Sequence, residues 1–281
     1  MLLPEEKKII VDSCCDMTPQ LKKRFGIISI PLILRLGHKE FVDDDSLDLP
    51  TFMSEMKACT GKIGTATSTP SQYKETIANE PGSFVVTVSS QLSGSYSHAN
   101  LGKALADENE ETDSHVFDSK SASAGETLVA VKVRELIAKG ISKDNLINMV
   151  NHFIDNMKTY LVLENYDNLM RSGRLNKITE KLIRILNIKL ILGSDGNGNI
   201  ALHAKVRGIN QMIEKMVSYI ASSGKKTEGE NLVISHCNNS NLAAQLYDAI
   251  VKRFNFKEIF VIPTGGVSSL YADDKGIIMA F

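Results

Sequence analysis

The stretch Val88-Ser-Ser-Gln-Leu-Ser-Gly-Ser-Tyr-Ser-His-Ala99 places five serines within twelve residues. The apolar run Phe84-Val-Val86 precedes it, and a helical pattern over residues 94–106 follows it. Hydroxyls crowded around a glycine, where a strand changes into a helix, are typical of three structures: a solvated turn, a nucleophile, or a set of donors that binds an anion. The choice among these three depends on which other residues of the chain lie close to this stretch in the fold.

The first half of the chain alternates predicted strands with predicted helices. Thr18-Pro19 has the residues of a helix start, and Gly140 those of a helix end. Ile27 to Leu34 is predicted as one strand, in which Pro31 indicates an edge or a bulge. This alternation predicts a mostly parallel, Rossmann-like sheet covered by helices. The other strands are predicted over 7–13, 83–88 and 115–118, and the helices over 19–25, 50–58, 94–106, 125–139 and 143–158.

The second half has a different pattern, which predicts a mixed α/β domain. Two apolar runs joined by Asp195-Gly-Asn-Gly-Asn199 indicate a β-hairpin. We therefore predict two domains, an N-terminal α/β domain over 1–158 and a C-terminal α/β domain over 159–281. The predicted strands of the second domain are 159–163, 189–192, 200–205, 231–236, 258–262 and the apolar end 277–281, and its helices lie near 168–170 and over 177–186, 209–222 and 240–254.

Composition and charge exclude several classes of function. The 281 residues carry 32 basic and 33 acidic side chains, a net charge of −1, so no overall field attracts nucleic acid. The apolar runs are shorter than the roughly 20 residues of a membrane span, so we expect no stable membrane insertion. The first residues, MLLPEEKK, lack the pattern of a secretory signal, and the four cysteines have neither disulfide nor metal-ligand spacing. We expect a cytoplasmic protein without a metal.

Clusters of hydroxyls and acids recur at the predicted strand ends. Because ligands of parallel α/β sheets bind at the carboxyl ends of the strands, three clusters that directly follow strands are predicted to meet at one edge. The alternative is that Ser, Thr and Asp are simply common turn and cap residues. The four clusters are Asp12-Ser-Cys-Cys-Asp16, Thr65-Ala-Thr-Ser-Thr-Pro-Ser71, Ser89 to Ser95, and Asp118-Ser-Lys-Ser-Ala-Ser123.

The chemistry of these clusters favours an anion over a nucleotide or a covalent intermediate. Hydroxyls, a glycine and a helix N-terminus suit a carboxylate or a phosphate, and no nucleotide-binding glycine motif is present. A serine hydrolase needs a glycine-flanked nucleophile and a histidine partner, but Leu92-Ser93-Gly94 lacks the first glycine, and His98 is expected to be a solvated helix residue. Met170-Arg-Ser-Gly-Arg174 could complete an anion site, dock a partner, or be a solvated basic loop.

The clusters resemble, in order and composition, those of the DegV family, whose members include the fatty-acid-binding subunits of bacterial fatty acid kinase. The resemblance covers essentially the whole chain, and its most diagnostic elements are Thr67-Ser-Thr-Pro-Ser71 and Ser89-Ser-Gln-Leu-Ser-Gly-Ser-Tyr96. The other matching elements are Ile10 to Asp16, Pro31-Leu32, Asp118 to Ser123, Gly173-Arg174, Asn187-Ile-Lys189 and Val206-Arg-Gly208.

The resemblance implies two α/β domains that hold a long-chain fatty acid between them, with its tail in an apolar tunnel. It implies no catalysis by the isolated chain and no cofactor, and a separate fatty acid kinase subunit as partner. By position, Thr67 and Ser93 would hydrogen-bond the carboxylate, and Gly94 would offer its backbone N–H. Ser68 and Ser90 would support that network, and Arg174 would lie near the ligand exit and the kinase-docking face.

Three positions depart from the family pattern. Tyr271 stands where a histidine is common, and its phenol could still donate a hydrogen bond to the ligand. The family commonly has two glycines where this chain has Ser172-Gly173. Glu126 stands where a small residue is common, and a carboxylate facing the tunnel would change the tail length or the class of ligand. Two alternative functions therefore stay open: a serine-dependent acyl hydrolase that uses Ser93, and a binder of another amphiphilic acid.

Overall fold

The computed structural model describes residues 7–108, 111–175 and 188–281, and within these ranges the chain forms thirteen strands and ten helices. The strands are β1 Ile9–Asp12, β2 Ile27–Ile30, β3 Ile33–Leu36, β4 Lys39–Val42, β5 Ile63–Ala66, β6 Phe84–Thr87, β7 His115–Asp118, β8 Thr159–Val162, β9 Ile188–Ser194, β10 Ile200–Arg207, β11 Asn231–His236, β12 Glu258–Pro263 and β13 Ile277–Ala280. The helices are α1 Pro19–Phe25, α2 Leu49–Ala58, α3 Pro70–Asn79, α4 Ser95–Asp107, α5 Ala124–Ala138, α6 Lys143–Asn156, α7 Asp167–Arg171, α8 Gly208–Ser222, α9 Ser240–Val251 and α10 Gly266–Ala272.

The first sheet is parallel, as the alternation of strands and helices predicts. Its order is β2-β1-β6-β7, and every pair of neighbours runs in the same direction. Each residue of β1 and β6 is buried, which agrees with the continuous apolar runs typical of a sheet covered on both faces. Thr18 begins α1 as predicted, since its hydroxyl accepts a hydrogen bond from Leu21 N at 3.3 Å. The Rossmann-like prediction for this half is confirmed.

The prediction of one strand over Ile27 to Leu34 is wrong. β2 ends at Ile30 on the edge of the parallel sheet, and β3 begins at Ile33 in another sheet. Pro31, between them, has no N–H to continue a ladder of hydrogen bonds, so the chain leaves the first sheet there. The Pro31 carbonyl instead accepts a hydrogen bond from Ser68 Oγ at 2.8 Å.

The second sheet is small and antiparallel, with the order β4-β3-β5. The sequence pattern did not predict β4 or β5. β4 reads Lys-Glu-Phe-Val and has no buried residue, and every residue of β5 is only half-buried. Neither strand therefore carries a continuous apolar signal, and both form because β3 offers hydrogen bonds on its two sides.

The third sheet is mixed, as predicted for the second half, with the order β10-β9-β8-β13-β11-β12. The predicted hairpin is confirmed, since β9 and β10 pair antiparallel across Asp195–Asn199. The last strand, β13, runs antiparallel between β8 and β11 and so joins the two parts of the sheet. The predicted helix over 177–186 lies outside the described residues.

Helix α5 packs between the first and third sheets. It contacts β1 and β6 of one sheet and β11 and β13 of the other. Such a helix must be buried on nearly all sides, and eleven of its fifteen residues are buried. The hydrophobic core is consequently continuous from Val86 to Val233. The division into domains at residues 158 and 159 stays a prediction. Among the described residues, no helix is both long and apolar enough to cross a membrane.

Candidate functional site

The predicted meeting of hydroxyl clusters at one sheet edge is confirmed. Val88 N donates to Asp12 Oδ2 at 2.9 Å, which joins the loops that follow β6 and β1. Ser90 N donates to Asp118 Oδ1 at 3.1 Å, which joins the loops that follow β6 and β7. The three loops therefore form one polar rim at the carboxyl end of the parallel sheet.

A chain of hydroxyls runs along this rim at the start of α4. Ser93 Oγ lies 3.0 Å from Ser95 Oγ, and Ser95 Oγ donates to Thr67 Oγ1 at 3.4 Å. A Cβ built on Gly94 would lie 3.5 Å from Thr67 Cγ2, so Gly94 also belongs to this group. Three predicted head-group residues, Thr67, Ser93 and Gly94, thus lie together. Their contact with a ligand stays a prediction.

His98 contacts the same cluster, and the expectation that it is a solvated helix residue is wrong. Its Nδ1 lies 2.8 Å from the Ser68 carbonyl oxygen and 3.5 Å from Thr67 Oγ1. No described histidine forms a hydrogen bond with Ser93 Oγ, because Ser95 and Thr67 stand between Ser93 and His98. The direct contact between base and nucleophile that a serine hydrolase uses is not formed by the described residues.

Ser68 and Ser90 hold loops in place. Ser68 is buried, and its hydroxyl donates to the Pro31 carbonyl at 2.8 Å, which ties the loop after β5 to the turn between β2 and β3. Ser90 is half-buried and is held by its backbone N–H on Asp118. Both contacts agree with the predicted role of these serines in supporting the head-group residues. Whether they affect the ligand stays a prediction.

Arg174 and Tyr271 form a second polar group near Ser93. Tyr271 Oη lies 3.0 Å from Thr65 Oγ1, and the Arg174 guanidinium lies 5.5 Å from the centre of the Tyr271 ring. Arg174 Nε also donates to the Leu92 carbonyl at 3.1 Å, next to Ser93. The sequence did not single out Thr65 as a site residue, although it belongs to a predicted cluster.

Two buried carboxylates hold the helix that carries Tyr271. Asp43 accepts from Gly266 N at 2.9 Å and from Val267 N at 3.0 Å, and Asp16 accepts from Gly265 N at 2.8 Å. These bonds satisfy N–H groups at the start of α10, which would otherwise be unpaired. Burial raises the pKa of Asp43 and raises the pKa of Asp16 to about 6. Neither residue was predicted to act on α10.

These groups surround a cavity of about 110 Å³. This volume is smaller than the roughly 300–1,000 Å³ that is usual for a small-molecule site, so side chains of the lining must move to admit a long acyl chain. Ser93, Thr65, Arg174 and Tyr271 contribute to its lining, whereas Thr67, Ser68, Ser90 and Gly94 do not. The apolar lining comes from both halves of the chain and includes Leu32, Val88, Leu92, Leu161, Leu169, Ile200, Val267 and Ile278.

Other polar side chains in or beside the lining also have partners. Ser121 Oγ and Thr159 Oγ1 lie 2.8 Å apart, and Lys120 Nζ lies 2.7 Å from Asp155 Oδ1. Ser89 Oγ donates to the Gly198 carbonyl at 2.8 Å, so the tip of the β9–β10 hairpin closes this side of the cavity. An apolar cavity with one group of hydroxyls and an arginine suits an amphiphile with a single anionic head.

Glu126 does not line the cavity. It lies on α5, fully buried, on the side of the rim where Asp12 and Cys14 lie. Its departure from the family pattern therefore adds no charge to the lining of the cavity.

Comparisons with known proteins agree with this arrangement. A family model described as uncharacterised protein, DegV family, matches residues 6–279. A DegV domain-containing protein of Streptococcus gordonii is 30% identical over 277 residues, which are 98% of each chain. A crystal structure of a DegV family protein from Ruminococcus gnavus, refined with vaccenic acid, has a TM-score of 0.93 and 36% identity and covers 98% of this chain and 99% of its own. The Fatty Acid Kinase (Fak) B3 protein of Streptococcus pneumoniae, loaded with linoleic acid, has a TM-score of 0.88 and 30% identity, with 98% of both chains covered.

Proposed function

The chain belongs to the DegV family, and from this premise we propose that it binds a long-chain fatty acid between its two halves and presents the carboxylate to a separate kinase. The kinase would transfer the terminal phosphoryl group of ATP to a carboxylate oxygen, which gives an acyl phosphate and ADP. The chain itself would act as a carrier, with no cofactor of its own and no catalytic residue.

The observation that carries this proposal is the pairing of one polar group with an apolar cavity. Leu161, Leu169 and Ile278 form walls that suit methylene groups, and each buried methylene contributes about 0.8 kcal/mol. The hydroxyl of Ser93 and the guanidinium of Arg174 lie on the same lining and suit a carboxylate. The fatty acids bound by the R. gnavus and S. pneumoniae proteins support this assignment of the ligand class.

The direct test is mass spectrometry of lipid extracted from the purified protein. We expect a long-chain fatty acid at about one molecule per chain, and binding of added fatty acid after lipid removal. A chain that carries no fatty acid and binds none when it is added contradicts the proposal. A different bound amphiphilic acid would favour the alternative ligand class.

Removing either predicted head-group hydroxyl should weaken binding. Ser93→Ala removes one hydrogen bond to a charged group, which is worth about 1.5–3 kcal/mol, so the dissociation constant should rise roughly 10- to 150-fold. Thr67 does not line the cavity but accepts a hydrogen bond from Ser95 at 3.4 Å, so Thr67→Ala should weaken binding by less. Binding is measured with a fluorescent fatty acid on delipidated protein. Ser97→Ala is the matched control, because Ser97 is exposed on the same helix, α4. Affinity that is unchanged in both variants would remove these residues from the head-group site.

Tyr271 tests whether the helix α10 side of the cavity contacts the head group. Tyr271→Phe keeps the ring beside Arg174 and removes only the hydroxyl, so we expect affinity to fall tenfold or less, which corresponds to about 1 kcal/mol. Tyr271→Ala should cost more, because Arg174 also loses the ring against which it lies. Equal affinity for wild type and both variants would show that Tyr271 has no part in binding.

The carrier assignment predicts that catalysis depends on a second protein. Purified chain mixed with ATP and fatty acid should form no acyl phosphate, and addition of a fatty acid kinase catalytic subunit should restore product formation. Acyl phosphate is trapped with hydroxylamine and measured as the hydroxamate. Turnover by the isolated chain would overturn the carrier assignment while leaving fatty-acid binding intact.

A further inference from the structure

Glu126 is a carboxylic acid without a partner in the protein interior. Its side chain has no solvent exposure, and neither of its carboxyl oxygens has a hydrogen-bond partner within the part of the chain that the structure describes. Buried polar groups in native proteins are almost always paired with protein, water or an ion, because an unpaired group loses its hydration without compensation. The position of Glu126 therefore requires a partner that the described side chains do not supply.

Two further side chains with metal-binding atoms face the same point. Carboxylate oxygens of Asp12 and Glu126 and the Sγ atom of Cys14 all lie within 4.8 Å of one another, and all three residues are buried. Asp12 is held rigidly, since its Oδ1 accepts from Cys14 N at 3.0 Å and its Oδ2 accepts from Val88 N at 2.9 Å. Backbone donors of this kind orient a carboxylate and leave lone pairs free for a metal ion.

We propose that Asp12, Cys14 and Glu126 form a binding site for one divalent cation of the zinc class. A thiolate with two carboxylates matches zinc, which accepts sulfur and oxygen ligands, better than it matches the oxygen-only preferences of magnesium or calcium. Ligand atoms on a tetrahedral zinc ion are separated by roughly 3.3–3.7 Å. Side-chain shifts of about 1 Å bring the three atoms to that spacing.

Two ionised carboxylates gathered in the interior are unfavourable unless a cation neutralises them. Cys14 also lines the ligand cavity, which gives an ion a route to the cluster. The site uses none of the predicted head-group residues. A failure to bind metal therefore would not contradict the proposed fatty-acid function, and a failure to bind fatty acid would not contradict the metal site.

Cobalt(II) titration of the full chain, after removal of metal and lipid, tests the proposal. We expect one cobalt per chain, with a near-ultraviolet thiolate-to-cobalt charge-transfer band and the strong visible absorption of a tetrahedral ion, and zinc should displace it. A second sample is refolded with cobalt, so that a closed interior does not prevent entry. Absence of one-to-one binding in both samples overturns the proposal and leaves a protonated, water-bonded Glu126 as the explanation of the cluster.

Variants then locate the ligands. Cys14→Ser should abolish the charge-transfer band, and Glu126→Gln should weaken cobalt binding at least about tenfold, as loss of one ligand does. Cys15→Ser is the matched control, because the Cys15 thiol is buried next to Cys14 and contacts Thr127 Oγ1 at 3.7 Å instead of the cluster. A band that survives Cys14→Ser, or one that disappears in Cys15→Ser, contradicts the assignment.

Thermal unfolding gives a readout that does not depend on the spectrum. Without metal, Glu126→Gln should unfold at the same temperature as wild type or higher, because an uncharged amide replaces an unpaired acid. Saturating zinc should raise the unfolding temperature of wild type, on the order of 5 °C, and raise that of the variant by less. If zinc raises the unfolding temperature of wild type and variant equally, Glu126 is not a ligand of the ion.

Discussion

Replacing Ala122 with tryptophan is expected to reduce fatty-acid affinity about 100-fold. Ala122 lines the cavity between the hydroxyl-bearing loops and the third sheet. An indole ring at this position occupies space that three or four methylene groups of an acyl chain would fill. Each buried methylene contributes about 0.8 kcal/mol, so their displacement costs about 3 kcal/mol, which corresponds to about 100-fold in the dissociation constant.

The measurement uses a useful property of the chain, which contains no tryptophan. The introduced indole therefore reports on its own surroundings by fluorescence, while circular dichroism confirms folding. Ala122→Leu should give an intermediate loss. Ala221→Trp, at an exposed position near the end of α8, is the control and should bind as wild type does. A folded Ala122→Trp protein with unchanged affinity would show that the ligand binds elsewhere.

Removal of the Asp43 carboxylate is expected to lower the free energy of unfolding by about 3 kcal/mol or more. Asp43→Ala breaks two hydrogen bonds from Gly266 N and Val267 N and leaves both backbone groups buried without an acceptor. Hydrogen bonds to charged groups contribute about 1.5–3 kcal/mol each. Because α10 carries Tyr271 and part of the cavity wall, fatty-acid affinity should fall as well.

Urea unfolding of the delipidated protein measures the stability change without a contribution from ligand binding. Asp45→Ala is the matched control, since Asp45 is exposed and forms only a surface ion pair with Lys22 at 2.6 Å, typically worth under about 1 kcal/mol. If both variants lose the same stability, the hydrogen bonds from Asp43 to α10 are not important for the fold.

Local patterns in the sequence predicted most of the strands and helices. A buried strand such as β6 is a continuous apolar run, and α1 begins at a side chain, Thr18, that forms its cap within the same turn. The exceptions share a cause. The run from Ile27 to Leu34 is uniformly apolar, but it divides at Pro31 because its two parts pair with different sheets. Apolarity alone does not identify a pairing partner.

The sequence likewise predicted some features of the candidate site and missed others. The serines around Gly94 and the loops that follow β1 and β7 could be placed at one edge from the sequence, because parallel strands end on the same side. His98 was misjudged, since its contact with the Ser68 carbonyl crosses from α4 to the loop after β5. Thr65 pairs with Tyr271, 206 positions further along the chain, and no local signal indicates such a contact.

The sequence by itself determined the alternation of strands and helices and the hairpin at Asp195–Asn199, because each arises from residues a few positions apart. It also determined the hydroxyl-rich rim, because parallel strands end on the same side of a sheet. Only the tertiary structure decided the cavity between the sheets and the hydrogen bond by which Asp43 binds the start of α10, 223 positions away. It also decided that Glu126 lies close to Asp12 and Cys14. These features depend on how helices and sheets pack against one another. Packing brings distant side chains together without leaving a periodic pattern in the chain.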